Sequence, residues 1–79
     1  MKLAYTVLII SGDPKEGGYW VKVPVLPGCV TQGETIEEAL TNTREAVEAY
    51  ILSLKDRGLP IPEEGGGTTG IVATVAVEV

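Results

Sequence analysis

Few side chains in this sequence can do chemistry, and their spacing excludes more than it offers. Cys29 is the one cysteine and there is no histidine at all. A lone thiol makes no intramolecular disulfide, and without imidazole there is no triad, no histidine acid–base step and none of the usual zinc ligand sets. Cys29 reads either as a nucleophile with nothing to activate it or as a small apolar group beside a turn. The carboxylates are similarly unpromising. A two-metal nuclease needs acids gathered around its ions, one of them in the middle of the first strand, yet Leu3 to Ile10 contains none. Asp13 falls in turn chemistry and Asp56 near a helix end, while Glu38, Glu45 and Glu48 share a helix flank pointing away from its apolar stripe. The run Gly65-Gly66-Gly67-Thr68-Thr69-Gly70 lacks the GK[ST] and following helix of a phosphate loop and reads as a linker. No enzyme activity, metal or cofactor is expected.

Charge points to a partner instead. The chain carries 11 acids and 6 bases, and eight of the acids lie between Glu34 and Glu64 against three bases, so this half holds the whole net charge of −5. An acidic half repels phosphate backbones, which disfavours direct nucleic-acid binding and favours a basic protein. Simple solvation of one helix face is the plainer reading of the same acids. Within that flank Leu52 stands on the charged side beside Glu45 and Glu48, either as a solitary exposed leucine or as an anchor ringed by acids. No apolar run approaches the ~20 residues of a membrane span, and the N-terminus lacks a signal-peptide pattern. The chain reads as cytoplasmic.

The elements that would position these residues are legible in order. Leu3 to Ile10 is β-branched and apolar on both faces, as a central strand is. Ser11 to Gly18 is turn chemistry. Tyr19 to Val25 alternates as a second strand, with Pro24 implying a bulge, a strand end or an unpaired side. Leu26-Pro27-Gly28-Cys29 suits a type II turn, and Cys29 to Gln32 returns as a third strand that Gly33 breaks. Thr35 with Glu38 forms a capping box, and apolar positions then recur at helical spacing to Leu54. Gly58 and Leu59 suit a Schellman ending, and Pro60 and Pro62 prevent continuation. Ile71 to Val79 is a last strand.

The order β-β-β-α-β predicts a single two-layer α+β domain over residues 1–79. Its four-stranded mixed sheet has order 3-2-1-4, with one helix on one face and the fourth strand parallel to the first. A helix on one side leaves the other uncovered. Tyr5, Val7, Val21, Val23, Val75 and Val77 are assigned to the helix side; Leu8, Ile10, Trp20 and Val72 then form an apolar patch for self-association on the open face. A domain of this size buries only ~60% of its unfolded surface, so a homo-oligomer, dimer or higher, is expected.

From Gly18 to Leu40 the sequence resembles the HicB-like antitoxin family of type II toxin–antitoxin systems. The carrying pieces are Gly18-Tyr19-Trp20-Val21, Pro24 with Leu26-Pro27-Gly28-Cys29, and Gln32-Gly33-Glu34-Thr35, continued by Glu38-Ala39, Asn42 and Ala46. The likeness runs from about Tyr5 to Pro62. It implies a degenerate RNase H-like domain without nuclease activity. Such a domain binds a small basic HicA-type mRNA interferase and covers its active site. The expected function is therefore a non-enzymatic antitoxin, with Glu45, Glu48 and Leu52 as the partner-binding residues. The sequence departs from the family at Val25, where many members carry an aspartate. It also reads as lacking the appended helix-turn-helix or ribbon-helix-helix segment, so direct operator binding is not expected. The alternative is a small-ligand-sensing or enzyme-accessory domain using the exposed sheet face.

Overall fold

In the computed structural model, which describes residues 2–15, 17–62 and 71–79, four strands and one helix alternate as expected. They are β1 (Lys2–Ser11), β2 (Tyr19–Lys22), β3 (Val30–Gly33), α1 (Ile36–Asp56) and β4 (Ile71–Glu78). The sheet order is β3-β2-β1-β4, with the most apolar strand, β1, inside and paired on both sides. Odd-numbered residues of the sheet face the helix. Tyr5, Val7, Ile9, Val21, Val23, Val75 and Val77 are buried there against Ala39, Val47 and Ile51 of α1. The period of two in the strands and of 3.6 in the helix thus meet in one apolar layer.

The direction of β4 corrects the sequence reading. β4 pairs antiparallel with β1, from Ile71 opposite Ile9 to Glu78 opposite Lys2, so the sheet is antiparallel throughout rather than mixed. The parallel expectation rested on a right-handed helical crossover and on the buried character of the first and last strands. α1 does run back along β3, as a crossover helix would, and the chain reaches Pro62 beside Tyr5, whose hydroxyl donates to the Pro62 carbonyl at 2.7 Å. The eight residues 63–70 can span ~26 Å, ample to deliver Ile71 to the opposite end of β1. Handedness rules for parallel crossovers have no force over such a connection.

Two strands are shorter or shifted. β2 stops at Lys22 rather than Val25, because Pro24 has no N–H to give a ladder. Val23 N–H still bonds the Cys29 carbonyl at 3.0 Å, after which two successive turns, closed by Leu26 N–H to Val23 O and Cys29 N–H to Leu26 O, reverse the chain. The second is the expected turn at Pro27-Gly28, with Gly28 at φ +80°, a value its missing Cβ makes easy. β3 is Val30–Gly33 rather than Cys29 to Gln32.

The helix termini match their sequence signals. Thr35 has extended φ/ψ and its Oγ1 accepts the Glu38 N–H at 3.0 Å. At the other end Leu59 N–H bonds Leu54 O and Gly58 N–H bonds Lys55 O, the paired bonds of a Schellman motif.

Candidate functional surfaces

Cys29 is core. It is buried beside Leu26, and burial pushes its thiol pKa up, so at neutral pH it holds its proton and is a poor nucleophile. The other buried polar group, Thr43, is fully satisfied. Its Oγ1 donates to the Ala39 carbonyl at 2.7 Å and, its single proton used, accepts from Thr31 Oγ1 at 2.6 Å. Two further contacts fix the layers: Asn42 Nδ2 donates to Gln32 O, and Tyr50 Oη to Pro27 O. Asn42 and Tyr50 thereby hold both ends of the β3 hairpin to the helix. Spacing alone gave no hint of these contacts, although a polar residue on the sheet-facing half of α1 was the available signal for Asn42.

Where α1 begins, an open cleft of about 570 Å³ lies between the β1–β2 turn and the helix, lined by Asp13, Trp20, Gln32, Glu34, Glu38 and Asn42 among others. Its three carboxylates do not converge. Among the described residues no group of three or more histidine, cysteine or acidic side chains is placed to hold a metal ion. The glycine-rich run at 65–70 lies outside the described residues.

The chain presents two surfaces that could bind. On the exposed flank of α1, Glu45, Glu48 and Leu52 fall at i, i+3 and i+7, which is one face of a helix. Leu52 is 53% exposed and Glu48 half-buried. Along α1 five acids stand against two bases, Arg44 and Lys55, so the helix is net negative. On the open sheet face Ile10 and Trp20 lie directly opposite each other across β1 and β2, 45% and 47% exposed. Leu8 is next on that face and half-buried, and the side chain of Val72 lies outside the described residues. Val30, opposite Lys22 on β3 and 48% exposed, extends the patch and was not anticipated from the sequence. Among the described residues no helix is long and apolar enough to cross a membrane.

Comparison with known proteins gives these surfaces a context. A family model described as the HicB-like antitoxin of bacterial toxin–antitoxin systems matches residues 5–69. A UPF0150 protein of Thermoplasma acidophilum is 50% identical over 62 residues, which cover 78% of this chain and 87% of the relative. A UPF0150 protein of Synechocystis is 41% identical over 63 residues, 80% of each chain. Among solved structures, the N-terminal domain of Burkholderia pseudomallei antitoxin HicB superposes with a TM-score of 0.77 at 27% identity. That match covers 98% of this chain and 100% of that domain. A chain of a toxin–antitoxin complex from Streptococcus pneumoniae gives a TM-score of 0.85 at 19% identity over 99% of this chain and 70% of that one, and shares its fold. One helix on a four-stranded antiparallel sheet of order 3-2-1-4 is thus the fold of the HicB N-terminal domain. With the family match running from Tyr5 through most of the chain and a half-identical relative beside it, the protein belongs to the HicB-like antitoxin family of bacterial toxin–antitoxin systems.

Proposed function

We propose that this chain is a non-enzymatic antitoxin that binds a small basic HicA-type mRNA interferase and blocks its access to RNA. The observation that carries the reading is the negative flank of α1, where an exposed leucine sits among glutamates on a rigid, well-capped helix. Carboxylates there complement a toxin whose own substrate is polyanionic, and they steer its approach. Leu52 supplies the desolvated anchor that a charged rim alone lacks. The absence of histidine and the protonated, buried Cys29 suit a protein that acts by covering a site rather than by chemistry. In the same reading the open sheet face, with Leu8, Ile10, Trp20 and Val72, adds a weaker self-association contact, separate from any pairing at the sheet edges, and the chain works in the cytoplasm without contacting nucleic acid.

The test is co-expression with a small basic HicA-type toxin, sought first in the adjacent gene. The two should co-purify. Leu52→Ala and Glu48→Lys should each weaken the complex about tenfold or more by calorimetry, the range for a buried anchor or a reversed charge at an interface. Affinity unchanged in both variants would remove the α1 flank as the binding surface.

A further inference from the structure

The two edges of the sheet are built differently. β3, at one edge, is four residues long and ends in glycine, and its Gln32 carbonyl is already taken by Asn42 Nδ2 at 2.9 Å. β4, at the other, runs eight residues, Ile-Val-Ala-Thr-Val-Ala-Val-Glu, and has β1 as its one neighbour among the described residues. It has no proline and no lysine, and its one charged residue, Glu78, is its last. Proline and lysine are among the devices by which natural edges refuse another strand. A straight, β-branched edge of this length is a template for strand addition.

We propose that β4 pairs antiparallel with β4 of a second copy of this chain, about a two-fold axis through Val75, to give one continuous eight-stranded sheet. Charge selects the orientation. Glu78 is the one ionisable side chain in the strand. A parallel pair would set the two carboxylates side by side, whereas an antiparallel pair puts them at opposite ends of the seam, each across from Val72. Layering selects the register. Val75 and Val77 are buried on the helix side, and Thr74 and Ala76 are exposed on the other. Residues directly opposite share a face, so Val75 must meet an odd-numbered residue. The register centred on Val75 pairs the whole strand with itself, Ala73 against Val77 and Thr74 against Ala76. Thr74 and Ala76 are small, so nothing on the open face obstructs the seam. Two copies joined in this way are isologous, the commonest form of homodimer, and the apolar layer under β4 continues from one copy into the next.

Sedimentation of the full chain tests the seam. The unmodified protein should sediment as a dimer. Thr74→Lys combined with Ala76→Lys sets lysine against lysine at both Thr74–Ala76 contacts and should raise the dissociation constant about tenfold or more. Thr74→Lys combined with Ala76→Glu sets opposite charges at the same contacts and should restore the dimer, which separates loss of pairing from loss of folding. Trp20→Ala, two strands away, should leave the dimer whole. A monomeric wild type at every concentration overturns the proposal and leaves the edge to a strand of some other protein. So does a dimer indifferent to the two lysines, a lysine–glutamate variant that stays monomeric, or a dimer that Trp20→Ala abolishes. Because the measurement involves this chain alone, its failure leaves the antitoxin reading standing.

Discussion

Gly33 carries the closest approach between the two layers. A Cβ built there would stand 2.8 Å from Ala39 Cα and 2.9 Å from the Glu38 carbonyl carbon, both of them helix backbone. Neither atom can swing away as a side-chain tip would, so the helix start would have to lift off β3. Gly33→Ala should therefore destabilise the fold by about 1–3 kcal/mol, the usual range for overpacking, read as a lower urea midpoint with an unchanged m-value. A midpoint equal to the wild type would mean that α1 is not held as described. The sequence showed a glycine ending a strand and nothing of this contact, because the obstructing atoms arrive from another element. Thr43 is similar: helical spacing put it on the apolar stripe, but its partnership with Thr31 Oγ1 exists only once β3 lies beneath α1. Residues whose roles are local, such as Thr35 and Gly28, were legible from neighbours in sequence.

At the scale of elements, stop signals told more than directions did. The cap at Thr35, the Schellman ending at Gly58 and the turn at Pro27-Gly28 each depend on four to six consecutive residues. The capping bond gives a clean prediction. Thr35→Ala leaves the Glu38 N–H without its side-chain acceptor and should cost ~1 kcal/mol, measurable as a lower melting temperature, while Thr35→Ser should restore most of it. No difference between Ala and Ser would show that the bond contributes nothing. The antiparallel sense of β4, by contrast, was beyond reach of pattern. Alternation and β-branching are the same read in either direction, and residues 57–70 are long enough to enter β4 from either end. The register of β4 on β1 likewise follows from which face is buried, not from the strand's own residues.

For the whole molecule, the division of labour follows the faces. One side of the sheet is spent on the core, the negative flank of α1 faces outward, and the Ile10–Trp20 pair marks the open side. Composition foretold the imbalance of charge, and order foretold the layers. The surfaces that matter could be placed only when the sheet's faces were fixed, and Val30 joined the open patch because it pairs with Lys22 on the face away from the helix. On this account the chain acts by occupying its partner's RNA-binding surface. The most direct measurement is RNA cleavage by a small basic HicA-type toxin, with the chain added in increasing amounts. Cleavage should stop as the two approach equimolar amounts, and Leu52→Ala or Glu48→Lys should shift the titration to several-fold higher concentration. Undiminished cleavage in saturating excess of the wild-type chain would contradict it.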